Sequence, residues 1–304
     1  MNCSTLVSEH PPLQILACIT YVMFFFIGTI FNAFALWIFC CRLPKWTETT
    51  VFMVNLMMAD ILILLTFPFK LYALLNPWDL GHTVCIMLTS FYFTNTYMSI
   101  FIITAISCDR YLAIRHPLKY KSWMTPMKAS VVCAIPWTLL LITSIAKTAQ
   151  EKNANSTTCF VKVNREPSEW NLAFALAGFL FPLVLISFFS LKILKTLRDQ
   201  ITLESKDRRS FRKAMNIIIA NMVIFVVCFS PVHTAYIVRY LADSADASCH
   251  TINHIQVFFR VTTLLSNANC VLDSVCYYFA ASEFWEALSK QKQTFPKCRS
   301  FCIS

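Results

Sequence analysis

The sequence predicts an all-α membrane protein: a seven-transmembrane helix bundle with a short amphipathic eighth helix. Three observations predict it. Of 304 residues, 57% are hydrophobic and only 14% charged, with a mean hydropathy of +0.57, outside the usage of soluble domains. Seven mostly apolar stretches are each long enough to cross a ~30 Å hydrocarbon core, which takes about 20 helical residues. Basic residues fall in alternate connections, as the positive-inside rule requires of a multi-span chain.

The spans read near 13–41, 50–76, 82–114, 126–147, 170–197, 211–241 and 252–279. No Lys or Arg precedes the first, because the first basic residue is Arg42. A cleaved signal peptide carries a basic n-region, so this stretch reads as an uncleaved first helix. Residues 1–12 are then an extracellular N-terminal segment, 13–279 the bundle, and 280–304 an amphipathic helix and cytoplasmic tail. Arg42 and Lys45 follow the first span, and Arg115, Lys119, Lys121 and Lys128 the third. The connection after the fifth carries Lys192, Lys195, Arg198, Lys206, Arg208, Arg209, Arg212 and Lys213, and the tail carries Lys290, Lys292, Lys297 and Arg299. Eighteen of the 26 Lys and Arg thus lie on one side, which places those loops and the C-terminus in the cytoplasm and the N-terminus outside. The net charge of +10 is explained by topology, and no nucleic-acid partner is expected.

The three glycines, Gly28, Gly81 and Gly178, are too scattered for a phosphate-cradling turn, which excludes nucleotide-binding enzymes of that kind. Cys85 opens span three and Cys159 lies between spans four and five, so both face a compartment where a disulfide persists. Cys3 and Cys249 are candidates for a second outside pair. Cys18, Cys40, Cys41, Cys108, Cys133, Cys228, Cys270 and Cys276 read as small apolar helix residues. No Cys or His group shows ligand spacing on one face, so metal binding is not expected there. Two glycosylation sequons, at Asn2 and Asn155, fall outside in this topology. Beyond span seven, Glu283-Phe284-Trp285-Glu286-Ala287-Leu288 reads as an interfacial helix, and Cys298 and Cys302 as palmitoylation sites or free tail thiols.

Several short motifs fall at fixed places in the spans: Asn55-Leu56-Met57-Met58-Ala59-Asp60 in span two, Asp109-Arg110-Tyr111 ending span three, Trp137 in span four, Pro182 in span five, and Cys228-Phe229-Ser230-Pro231 in span six. Together they resemble the rhodopsin-like (class A) G-protein-coupled receptors over nearly the whole chain. Two departures stand out. Phe229 replaces the usual Trp, and Asp273-Ser274-Val275-Cys276-Tyr277 lacks the usual Pro. Within the family, Phe39-Cys40-Cys41-Arg42, Trp46-Thr47-Glu48-Thr49 and Phe225-Val226-Val227-Cys228-Phe229 resemble the receptor responsive to kynurenate and lysophosphatidate. Pro68-Phe69-Lys70 and Cys276-Tyr277-Tyr278-Phe279 also resemble the lysophosphatidylinositol receptor.

The resemblance implies a Cys85–Cys159 disulfide and a sodium cage of Asp60, Ser99, Asn269 and Asp273. A water-filled hydrogen-bond network without an ion is the alternative for that cage. It also implies a G-protein switch of Asp109, Arg110, Tyr111 and Tyr277, and an activation core of Phe225, Phe229 and Pro231. The expected partners are a heterotrimeric G protein of the Gi or G12/13 class, arrestin and membrane lipids. No cofactor is expected beyond that sodium ion.

The ligand is expected to be an anion, either a lysophospholipid or an aromatic carboxylate. Lys70 lies ten residues past Asp60, about 15 Å further along the helix, near the outer mouth. Lys147, Lys162, Arg165, Arg239 and Arg260 join it there, with Tyr92, Thr96 and Tyr236 below. A carboxylate or phosphate gains charge-assisted hydrogen bonds in such a mouth. Tyr92 stands where the family's amine receptors carry an Asp, so an ammonium ligand lacks its counter-ion. Thr96 stands where the kynurenate-responsive receptor carries an Arg. Glu151, Glu166, Glu169, Asp243 and Asp246 read as flexible-loop acids able to neutralise part of this rim.

A seven-span transporter or channel is the alternative, but it calls for internal repeats and interrupted helices, and the sequence has no evident repeat. Retinal binding needs a span-seven Lys, and 252–279 contains none. A membrane enzyme is not expected, since Asp60 and Asp273 have no nucleophile beside them.

Overall fold

The structure, a computed structural model, describes residues 11–41, 46–150, 158–162, 164–203 and 208–274. Helix α1 (Pro11–Cys41) begins at a proline, whose missing N–H costs nothing in a first turn. Helix α2 (Glu48–Leu75) is capped by the Thr47 hydroxyl, which accepts from Thr50 N at 3.2 Å, and Glu48 complements the positive end of the dipole. Helix α3 (His82–Arg115) follows Gly81, whose φ of 86° lies in the region that glycine enters without penalty. A short α4 (Pro117–Trp123) precedes α5 (Pro126–Gln150).

The fifth span is composite. Helix α6 (Glu169–Ala173) runs into a π-helical stretch, Phe174–Leu180, and then α7 (Phe181–Leu203). Pro182 lacks the N–H that an unbroken α-helical register would need, and the wider turn precedes it. Helix α8 (Arg208–Ser244) carries Pro231, and α9 (Cys249–Asn267) is capped by Ser248. Helix α9 stops at Ala268 and helical structure resumes over 269–274, so the seventh span is interrupted without a proline.

Six helical stretches among the described residues are long and apolar enough to span a membrane: Pro11–Cys40, Glu48–Leu75, His82–Arg115, Pro126–Ala146, Glu169–Asp199 and Ile218–Ser244. Helix α9 packs closely on α8. Phe52, Met57, Met98, Ile102, Phe225 and Phe229 fill the centre, all essentially inaccessible. Outside, Phe26, Ile30, Ile145 and Val184 are largely exposed, as suits side chains facing lipid rather than water. Polar contacts set the register of neighbours. Asn32 donates to the Cys270 carbonyl at 2.9 Å, and the Trp137 indole to Asn55 Oδ1 at 3.0 Å.

Helices occupy the predicted spans with ends displaced by a few residues; α4, the π stretch and the break at Ala268 are additions. Cys40 is buried and disulfide-bonded, which corrects its reading as a plain apolar residue. A helical pattern identifies a buried position but not what a sulfur there bonds. The expected eighth helix lies outside the described residues, as do Asn2, Cys3, Asn155, Tyr277, Cys298 and Cys302.

Candidate functional site

At one end of the bundle, a disulfide joins Cys85 near the start of α3 to Cys159, with Cα atoms 5.7 Å apart. Around it Trp78, Leu88 and Phe160 pack together, and Trp78 donates to Gly81 O at 2.9 Å. The chain after Cys159 is thereby held over the bundle and reaches the α8–α9 turn. There Lys162 bonds Asp243 Oδ2 at 2.7 Å, Arg239 bonds both Asp243 oxygens at 3.0 and 2.9 Å, and Arg165 bonds Asp246 at 3.0 Å. Three cations share two carboxylates. Asp243 belongs to the last turn of α8 and its side chain is fully buried, which corrects its reading as a flexible-loop acid. The i,i+4 spacing to Arg239 holds it in the helix.

A cavity of about 60 Å³ opens beneath this staple. Its charged lining is Lys162, Arg239 and Arg260, its aromatic lining includes Phe160, Tyr236 and Phe259, and no acidic side chain lines it. Arg239 Nη1 is buried without a hydrogen-bond partner.

Lys70 lies just behind this wall. The residue is 5% exposed, and its ammonium is buried without a hydrogen-bond acceptor. It sits 4.3 Å from the Tyr92 ring centroid and 5.6, 5.7 and 5.8 Å from those of Tyr21, Phe67 and Phe160. Ring faces attract a cation but replace water incompletely. Phe160, in a left-handed conformation with φ 64°, faces both the cavity and Lys70. Tyr92 and the buried Thr96 are adjacent turns of α3, joined by a hydrogen bond from the Thr96 hydroxyl to Tyr92 O at 3.0 Å. The Lys147 side chain lies outside the described ones.

Midway down, buried polar groups gather. Asn95 donates to Asp60 Oδ1 at 3.2 Å and Asn269 to Asp273 Oδ2 at 2.7 Å. Ser99 Oγ and Asn269 Oδ1 are buried without partners. Ser99 and Asn269 thus offer oxygens not engaged within the protein. Above them, Phe225 meets Phe229 at 5.5 Å and Phe179 at 5.7 Å.

At the opposite end, Asp109 is buried and Arg110 is partly exposed, with Nε 4.0 Å from Asp109 Oδ2. The Arg110 guanidinium donates to the Thr49 hydroxyl. Tyr120 of α4 lies 2.6 Å from Asp109 Oδ1 and 2.8 Å from Glu48 Oε1. Burial, then the hydrogen bonds to these two carboxylates, push its phenol up, so it stays a neutral donor. Tyr111 turns away onto Phe188 and Phe189.

A family model for the seven-transmembrane receptors of the rhodopsin family matches residues 31–277. The chain belongs to that family. The receptor is therefore a multi-pass plasma-membrane protein that couples to G proteins, and not an enzyme. It is 39% identical to human G-protein coupled receptor 35 over 261 residues, covering 86% of this chain and 82% of the relative. It is 31% identical to chicken (Gallus gallus) lysophosphatidic acid receptor 6 over 305 residues, covering 96% and 97%. Human uracil nucleotide/cysteinyl leukotriene receptor is 31% identical over 288 residues, covering 92% and 77%.

Sequence reasoning missed several of the receptor's site residues. His233 is fully buried; its Nδ1 donates to Phe229 O at 2.7 Å, leaving Nε2 to accept from the Tyr97 hydroxyl at 3.3 Å. The i+4 spacing from Phe229 was its signal. Gly178 allows Tyr97 its place, since a Cβ there would lie 2.8 Å from Tyr97 Cε1. Nothing local marked Glu48 and Tyr120 as partners 72 residues apart.

Proposed function

We propose that this receptor binds an anionic extracellular ligand, a lysophospholipid or an aromatic carboxylate, and passes its occupancy to a heterotrimeric G protein. The carrying observation is a cavity wall with three cations and no acid, with the unpaired Lys70 ammonium one ring behind it. Arg239, Arg260 and Lys162 receive the acidic group. At about 60 Å³ the cavity is smaller than the ~300–1,000 Å³ of drug-sized sites. A ligand therefore enters by displacing Phe160, and its anion then reaches Lys70, whose buried charge gains the acceptor it lacks. The apolar part packs against Tyr92, Tyr236 and Phe259. Two relatives support the reading by their names, since lysophosphatidic acid and uracil nucleotides both carry phosphate.

Asp60, Ser99, Asn269 and Asp273 would hold a sodium ion, which supplies a counter-charge for the two carboxylates. Toward the cytoplasm, Asp109 and Thr49 hold Arg110 at rest, and its release presents the guanidinium to a G protein of the Gi or G12/13 class. With the Cys85–Cys159 end outside, the N-terminus is extracellular, and arrestin meets the same cytoplasmic face as the G protein. A G-protein activation screen of lysophospholipids, aromatic carboxylates and their neutral analogues on expressing cells tests the ligand class. Activation by acids that is lost in the neutral analogues is expected, and activation only by neutral or cationic compounds refutes it.

A further inference from the structure

His250 and His254 occupy the first two turns of α9, four residues apart on one exposed face. Their Nε2 atoms are 3.3 Å apart and their ring centroids 4.5 Å, at 73°. The sequence reading expects no metal at Cys or His, yet an i,i+4 pair of histidines on a helix is a known way to present two nitrogens to one ion.

We propose that His250 and His254 form a binding site for a borderline-soft divalent transition-metal ion, zinc above all, at the cavity end of the receptor. Two imidazole nitrogens about 2.0–2.1 Å from a tetrahedral ion stand about 3.3–3.4 Å from each other, the separation seen here. As a plain hydrogen bond the contact is long against the usual ~2.9–3.0 Å. Water completes the coordination, because both rings are exposed and no third His, Cys, Asp or Glu joins them among the described residues.

The surroundings tolerate a cation. The Thr251 N–H at the helix start already donates to the Ser248 hydroxyl, and Arg165 is paired with Asp246. The disulfide at Cys249 anchors the helix start one residue before the first ligand. Imidazole selects zinc or nickel over magnesium and calcium, which prefer oxygen. The site is independent of the anion cavity, although Gln256 and Arg260 of that cavity stand on the turns just below.

The test is competition for zinc between a chelating dye and the full-length receptor purified in detergent. Micromolar binding is expected at neutral pH, weakened at least tenfold by either His250→Ala or His254→Ala and unchanged by His82→Ala. Adding Asn253→His to the His254→Ala chain restores an i,i+3 pair and recovers part of the affinity. Zinc affinity that ignores both alanine variants overturns the proposal, as does equal affinity for magnesium or the absence of binding at neutral pH.

Discussion

The two ends of the bundle handle charge in opposite ways. At the disulfide end, Lys162, Arg165 and Arg239 divide two carboxylates, with Arg260 on the cavity wall and Lys70 unpaired behind it. At the other end, two acids, Asp109 and Glu48, share the Tyr120 hydroxyl while Arg110 lies 4.0 Å from Asp109. At the first end two carboxylates serve three cations and leave the Lys70 ammonium and Arg239 Nη1 without an acceptor. The second is nearly self-satisfied, so a change of state there breaks contacts now made. Binding energy gained at one end is thus available to offset interactions lost at the other, provided the two states differ in both places.

The sharpest way to break this comparison is Arg110→Ala. It should abolish nucleotide exchange by the G protein while ligand binding persists, read by exchange assay and binding on the same membranes. Next is Asp243→Ala, which strips the acceptor from buried Arg239 and from Lys162. Removing one partner of a buried ion pair costs about 3–5 kcal/mol, so surface expression and thermal stability should fall steeply. A well-expressed, stable variant would mean that the staple does not hold this end.

The ligand cations come third. A charge-assisted contact is worth roughly 1.5–3 kcal/mol, so Lys70→Met and Arg260→Leu should each weaken an anionic agonist about tenfold or more and spare a neutral analogue. A loss confined to Arg260→Leu would show that Phe160 stays in place and keeps Lys70 apart. Sodium titrated against potassium at constant ionic strength should lower agonist affinity by a smaller factor, and Asp60→Asn should erase that dependence. The mildest change is Tyr120→Phe. It removes a hydroxyl whose hydrogen bond to a carboxylate is worth roughly 1.5–3 kcal/mol, of which only the part that differs between the resting and active states counts, and should raise ligand-independent exchange a few-fold.

Much of the fold was legible beforehand because membrane spans write themselves in long apolar runs. The pairs Asp109-Arg110 and Phe225-Phe229 were equally visible, being near neighbours in the chain. Asp243 was not. Read from sequence it sat close to the Asp246-containing loop, and only the α8 boundary placed it inside the helix facing Arg239. His250 and His254 were overlooked despite their spacing, because exposed histidines near a span end carry no apolar signal. Lys70 read as one of the outer-mouth cations, yet it is buried, and its aromatic enclosure came from four different parts of the chain.

By itself, then, the sequence determined the number of spans and where the cysteines fall among them. Hydrophobic length and chemical type act locally, residue by residue along the chain. Tertiary structure decided which charges meet. Lys162 and Asp243 are 81 residues apart, Tyr120 and Glu48 are 72 apart, and Phe160 came to stand between Lys70 and the cavity. Coulomb and hydrogen-bond energies depend on distances of a few ångströms, and for residues so far apart in the chain only helix packing sets those distances.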